Sequence, residues 1–395
     1  MSNLFAVCGG TSLTIAQCLV SSLLREEENH IWLFSYPRIS QLRQSLNALL
    51  IPELWSSIWR VNFEDKEAYI SVIELFRSPY NYHLTLSKSE VKMIKKLDDI
   101  ETLSHIYTSS KRARLPRFLY GESQRRKCRF IHLEHGLGAY KPVTAIRRSK
   151  KRFSQGHIGI KRMISDTLIA TFLHLTNRKE LYSPEHNLMK YDEAYLMFPD
   201  KRPIDEFSGA VIRDLSAFVT PSQINDLKQR ANLSESIDWS QQDGSQKSAL
   251  FLSQCLAEDT FLKMEHQVDL TRRILEHLVR QYQRVFYKPH PRDSQAKTTA
   301  ILSYLPTVEL FPEKVSLPIE LTIPEGQIEA CYGICSSALV YLPILSGIQT
   351  YSLFPWMVRE LESMGVDALR FKTFFESHQA QFKGETICLE ELPNE

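Results

Sequence analysis

The strongest constraint on this chain is a repeated alternation of short apolar runs with helical patterns. NLFAVCGG ends in Gly9-Gly10 and passes to LTIAQCLVSSLL, headed by Ser12, which reads as a strand, a turn and a helix. HIWLFSY, HIYTSS and CRFIHLE repeat the strand pattern, and ISQLRQSLNALL, YISVIELF and SEVKMIKKLDDIETL the helical one. Residues 141–162 have little apolar periodicity and read as an insertion; an apolar helix over 163–175 and the strand YDEAYLMFP follow. Alternation of this kind requires a parallel sheet with helices on both faces.

A polar, turn-rich stretch, LSESIDWSQQDGSQKS at 233–248, precedes a second series. Its strands are ALFLSQ, RVFYKPHP, VELF, EACYGICSS and QTYSLF, with a helix ending RRILEHLVRQY and a short helix at PIELTI. The expected architecture is α/β, with two doubly wound, Rossmann-like domains facing a cleft. Residues 1–232 form the first, carrying the insertion at about 141–162, and 233–355 the second. The tail 356–395, helical around WMVRELESMG, is placed to pack back on the first domain. A length of 395 residues suffices for two cores that fold without staples.

With 43% apolar residues and 48 Lys+Arg against 46 Asp+Glu, the composition excludes disordered, collagen-like and coiled-coil chains. The near-neutral total hides an asymmetry. Within 111–162, sixteen Lys or Arg are opposed only by Glu122 and Glu134, which points to an anionic partner. Phe153 is the lone aromatic within 141–162, which argues against nucleic acid. No apolar run reaches 18 residues and no cleavable leader is evident. Seven Cys spread from Cys8 to Cys388 do not form a disulfide framework and suit a reducing compartment. The expectation is a cytoplasmic protein, with the basic stretch permitting peripheral docking on the inner membrane face.

Ligands of doubly wound sheets bind beyond the carboxyl ends of the strands, and four segments end a predicted strand with reactive or small residues. CRFIHLE delivers Glu134 and His135 to a turn at Gly136 and Gly138; a carboxylate there suits a general base, or else an ion pair with a neighbouring arginine. In RVFYKPHPRDS, Pro289 and Pro291 fix the backbone around His290, and Lys288 and Arg292 make the surroundings suit a phosphate. YGICSSALVY places Ser336 and Ser337 at a helix start, where N–H groups and the dipole favour an anion. SLPIELTI sets Glu320 at another helix start, as a favourable acid there or against ribose hydroxyls. Cys331 and Cys335 lack partners at zinc spacing, and neither GxxxxGK[ST] nor GxGxxG occurs.

Taken together and in order, Glu134-His135-Gly136, His290-Pro291, Pro318-Ile319-Glu320 and Ser336-Ser337 resemble the motifs of bacterial sialyltransferases and polysialyltransferases of the GT-B class. VCGGTSLTIAQ is similar to that family's first strand and turn, which puts Thr11 and Ser12 towards the acceptor. The resemblance implies an inverting glycosyltransferase, with CMP-sialic acid or the CMP-sugar of a related nonulosonic acid as donor and no metal or other cofactor. Glu134 would be the general base, and His290 the general acid or phosphate stabiliser. Glu320 would hold the ribose, Ser336 and Ser337 the phosphate, and Ser253-Gln254 would lie near the cytosine. The acceptor would be an anionic or lipid-linked glycan, as in lipooligosaccharide or capsule.

The departure is His135 where the family has a second acid. It either lowers the basicity of Glu134 or is itself the base. The latter resembles CDP-glycerol-type polyol-phosphate transferases of capsule and teichoic-acid synthesis, which share a His-Gly, a Lys-Pro-His-Pro and a Ser-Ser segment. A degenerate, non-catalytic binder of anionic glycan or membrane is the remaining alternative.

Overall fold

The computed structural model describes residues 1–35, 40–62, 88–109, 114–140, 189–202, 207–233, 247–313, 317–323, 326–369, 371–373, 376 and 386–392. Two compact units emerge, residues 1–40 with 52–216 and residues 41–51 with 217–395. The helices expected at YISVIELF and 163–175, the insertion at 141–162 and most of the polar 233–248 stretch lie outside the described residues.

The first unit is a seven-stranded sheet of β1 (Ser2–Val7), β2 (Glu28–Ser35), β3 (Ser57–Asn62), β4 (Leu103–Thr108), β5 (Arg129–Leu133), β6 (Glu193–Leu196) and β7 (Val211–Asp214). The order is β3-β2-β1-β4-β5-β6-β7, parallel throughout. All six residues of central β1 are buried, as a strand covered on both faces requires. Phe5 stacks on Tyr107 at 4.2 Å, while the amide of Asn3, at the polar amino end, bonds Glu27, Asn29 and His105.

The second unit has six strands, β8 (Ser248–Leu252), β9 (Arg284–Lys288), β10 (Val308–Leu310), β11 (Ala330–Gly333), β12 (Gln349–Ser352) and β13 (Ile387–Cys388). Their order is β10-β9-β8-β11-β12-β13, again parallel. The period of two along β8 feeds two separate cores. Ala249 and Phe251 face the long helix Met264–Gln281, whereas Leu250 and Leu252 face Leu339 and Leu342 of the helix Ala338–Ser346.

Two boundaries differ from the sequence expectation. Residues 217–233 belong to the second unit: the helix Pro221–Arg230, capped by Thr220, buries Ile224 and Leu227, and Lys228 Nζ donates to Ile323 O at 3.3 Å. The tail packs within the second unit as well. Its helix Phe354–Ser363 sinks Phe354, Trp356, Met357 and Leu361 into the core with Phe371 and Leu392, and β13 adds a strand beside β12. The Arg273 guanidinium covers Trp356 at 5.5 Å and pairs with Glu360 at 2.6 Å. Trp356→Ala should therefore destabilise the second unit by about 3–5 kcal/mol through lost burial and cavity formation, read as a lowered urea midpoint; a loss under about 1 kcal/mol would place the tail outside the core.

Candidate functional site

Each sheet reverses its direction of growth once, between β1 and β4 in the first unit and between β8 and β11 in the second. At such switch points the helices leave on opposite faces and open a crevice at the strand ends. In the second unit three neighbouring strand ends converge there: β9 leads to Lys288 and His290, β8 to Ser253 and Gln254, and β11 to Ser336 and Ser337.

His290 is half-buried between its prolines. Its backbone N–H donates to Asp293 Oδ2 at 3.0 Å, and the backbone N–H of Arg292 donates to the ring Nδ1 of His290 at 3.1 Å. A nitrogen that accepts carries no proton, so this bond assigns the neutral ring to the tautomer protonated on Nε2. Burial, and then the Arg292 charge, lowers the pKa to about 4. At neutral pH His290 is thus an uncharged donor through Nε2–H. Across β8, Ser336 Oγ accepts from Ala338 N–H at 3.3 Å as the helix Ala338–Ser346 begins, with Ser337 at its N-cap. Both serines are half-buried.

Several expected ligand groups are committed to the protein instead. Gln254 bridges strand ends, its Oε1 accepting from Cys335 N–H at 3.0 Å. Ser253 is buried, and its N–H donates to Lys288 O at 3.0 Å. Lys288 is buried and pairs with Glu313; burial, partly offset by Glu313, lowers its pKa. Arg292 is held by Asp259 in a bidentate pair at 2.7 and 2.8 Å, so it does not reach out from the Pro-His-Pro turn. Pro291 is exposed on that turn. Glu320 is buried close enough to Lys288 to feel its charge, and burial raises its pKa.

On the first unit, Glu134 sits at the end of β5 and is 0% exposed. Its Oε2 accepts from Met197 N–H at 2.6 Å and from the Tyr140 hydroxyl, which itself accepts Phe198 N–H at 2.9 Å. Burial, and then the Glu134 charge, pushes the Tyr140 pKa upward. The carboxylate thereby ties the end of β5 to the chain leaving β6. A general base must reach the proton that it takes. His135, half-buried beside Gly136, is better exposed for that contact; Gly136 has φ +116°, a conformation that a side chain would strain. Ser12 is 2% exposed with Oγ bonded to Gly9 O at 3.0 Å, so it braces the turn, whereas Thr11 is half-buried at the helix start.

The described part of the basic stretch is also partly committed. Arg125 and Arg126 pair with Glu122 and Asp98, and Arg129 with Glu193 at 2.6 Å. Residues 110–113 and 141–188 lie outside the described residues. Among the described residues no three His, Cys, Asp or Glu side chains gather as a metal site, and no helix is long and apolar enough to cross a membrane. Sequence reasoning missed Tyr140, Glu258, Asp259, Asp293 and Lys297. The i, i+4 spacing of Asp293 and Lys297 around the N-cap Ser294 was the available signal for the last two.

Two outcomes follow from this geometry. Tyr140→Phe removes one bond to a buried carboxylate and should cost about 1.5–3 kcal/mol in urea unfolding; an unchanged midpoint would show that the contact carries no stability. For His290 the folded pKa lies below the unfolded value of about 6.5. The unfolded chain therefore binds the extra proton first, and stability falls as pH drops from about 6.5 towards 4. His290→Gln should flatten that decline in unfolding measured across the same window; an identical decline would show that His290 is not its source.

The sequence pattern of the alpha-2,8-polysialyltransferase family matches residues 11–354. No protein of curated function matches the chain. Among solved structures, UDP-GlcNAc 2-epimerase from Methanocaldococcus jannaschii is 10% identical, with a TM-score of 0.51 over 100% of this chain and 96% of that one. UDP-GlcNAc 2-epimerase from Neisseria meningitidis bound to UDP-GlcNAc gives 11% and 0.47 over 98% and 94%. A glycosyltransferase from Rickettsia africae gives 9% and 0.41 over 98% and 94%. At these identities the likeness is one of fold, the α/β architecture of the GT-B class with its paired Rossmann-like units. The family match covers most of the chain, and the protein is a glycosyltransferase belonging to the alpha-2,8-polysialyltransferase family.

Proposed function

We propose that the chain transfers sialic acid from CMP-sialic acid to a hydroxyl of an anionic glycan, with inversion and without a metal ion. The observation that carries this reading is the convergence of His290, Gln254 and Ser336-Ser337 on adjacent strand ends at the switch point of the second sheet. In a member of this family, that crevice suits the nucleotide of the donor. The cytosine would lie by the backbone of Ser253-Gln254, the ribose by Glu320, and the phosphate between His290 Nε2–H and the helix start at Ser336-Ser337. Fixed donors of this kind stabilise a departing phosphate without reorganising.

On the acceptor side, His135 takes the proton of the attacking hydroxyl, and buried Glu134 anchors the turn that presents it. The support is the contrast in burial between the two neighbours. The acceptor is an anionic glycan, lipid-linked at the inner face of the membrane. Contact with that surface falls to basic residues of 111–162 other than Arg125, Arg126 and Arg129, which already have protein partners.

The test is CMP release and product formation from CMP-sialic acid with sialyl-oligosaccharide acceptors. His135→Asn should lower kcat by about 10²–10⁴-fold, while Glu134→Gln should act mainly through stability. A folded Glu134→Gln that is inactive beside an active His135→Asn would return the base to Glu134. Turnover of CDP-glycerol with none of CMP-sialic acid would overturn the donor reading in favour of polyol-phosphate transfer.

A further inference from the structure

Beneath His290 lies a buried polar network that none of the expected site residues explains. Lys297, on the helix Gln295–Tyr304 that follows the Pro-His-Pro turn, has a fully buried side chain. An ammonium has three protons to donate, and each finds an acceptor: Gln254 O at 3.0 Å, Glu258 Oε2 at 3.2 Å and Asp293 Oδ1 at 2.5 Å. The acceptors come from the segment after β8 and the turn after β9. Each then passes the constraint on. Asp293 Oδ2 accepts the backbone N–H of His290 at 3.0 Å, Glu258 Oε1 accepts the backbone N–H of Ser294 at 3.0 Å, and the Gln254 side chain accepts the backbone N–H of Cys335 at 3.0 Å, immediately before Ser336.

A continuous polar path thus runs from His290 through Asp293, Lys297 and Gln254 to the Ser336 loop, crossing three strand ends. An apolar side chain would fill the same space without desolvating a charge. What the ammonium adds is three directional bonds that hold separate loops at fixed distances. We infer that Lys297, acting with Asp293, is a positioning residue for the transfer reaction. It holds the backbone of the Pro-His-Pro turn, and through that turn the Arg292 N–H bond to Nδ1 that orients the His290 ring towards the donor phosphate, and it keys the turn to the Ser336-Ser337 loop. This rests on the reading that His290 faces a nucleotide phosphate. Lys297 touches no substrate; it acts through the groups that do.

The experiment compares Lys297→Met and the near-isosteric Asp293→Asn, each alone and in a His290→Ala background, by CMP-sialic acid turnover. Ring nitrogen spectra of 15N-histidine-labelled protein supply a second readout that needs no activity. Misplacing a reacting group by about 1 Å costs up to about 100-fold in rate. Lys297→Met should accordingly lower kcat about 30-fold, with acceptor KM within about twofold. In the His290→Ala background the same change should cost only about threefold, because the ring it positions is gone. The spectra should show one Nε2–H tautomer for His290 in the parent protein and mixed tautomers in both variants. Equal losses in the two backgrounds, or an unchanged tautomer in a folded variant, would reduce Lys297 to scaffolding and overturn the inference. If Lys297→Met does not fold, Asp293→Asn carries the same comparisons. Should the parent protein release no CMP while the tautomer still responds, the donor reading fails and the positioning role stands.

Discussion

Parallel pairing is the constraint on which the rest of this molecule depends. Every described strand pair in both sheets is parallel, so within each sheet all carboxyl ends lie along one edge. Residues far apart in sequence are thereby delivered to one place. Ser253, His290 and Ser336 are neighbours because β8, β9 and β11 are adjacent and point the same way. The reversal of strand order then opens the crevice next to them. No special loop is needed to assemble the site; the hydrogen-bonded sheet does it.

Strand ends give position to within a few ångströms, and catalysis requires more than that. The finer placement comes from charged groups turned inward. Lys288 is neutralised by Glu313, Arg292 by Asp259, and Lys297 by Asp293 and Glu258. These pairs occupy the cations of a segment rich in Lys and Arg, while burial and then the Arg292 charge keep His290 itself uncharged. The cations suit a phosphate by type, yet each has a carboxylate already within reach. On the first unit Glu134 follows the same pattern, with Tyr140 and Met197 as its partners.

The sequence was most legible where burial imposes a pattern. NLFAVC, CRFIHL and ALFL read as strands because both faces are covered, and the four strand-end segments were located for the same reason. Elements with weaker demands were missed. SIWRVN and VIRD lie near or at the sheet edge, where one side is less constrained. QAKTTAILSY forms a helix although its apolar residues follow no clear stripe; the Ser294 cap and the buried Lys297 fix it. The burial of Glu134 beside the more exposed His135 was not legible at all. It depends on where Tyr140 and Met197 fall, and contacts across 63 residues of chain leave no local signature.

The state of His290 also bears on what a departing CMP needs under the proposed donor assignment. Cleavage of a CMP-sugar turns a phosphodiester monoanion into a phosphate monoester whose second pKa is about 6. Near pH 7 that product is stable without the extra proton, so the leaving group does not demand a general acid. It demands hydrogen-bond donors aimed at the oxygen on which charge develops. A ring with a pKa of about 4, with Nδ1 accepting from Arg292 and the proton on Nε2, supplies such a donor at any pH near neutrality. A ring titrating near 7 would instead alternate between two charge states and two hydrogen-bonding roles. The low pKa is therefore consistent with a donor that stays protonated on one nitrogen throughout the reaction, and the buried Asp293–Lys297 pair holds the backbone of the turn that carries it.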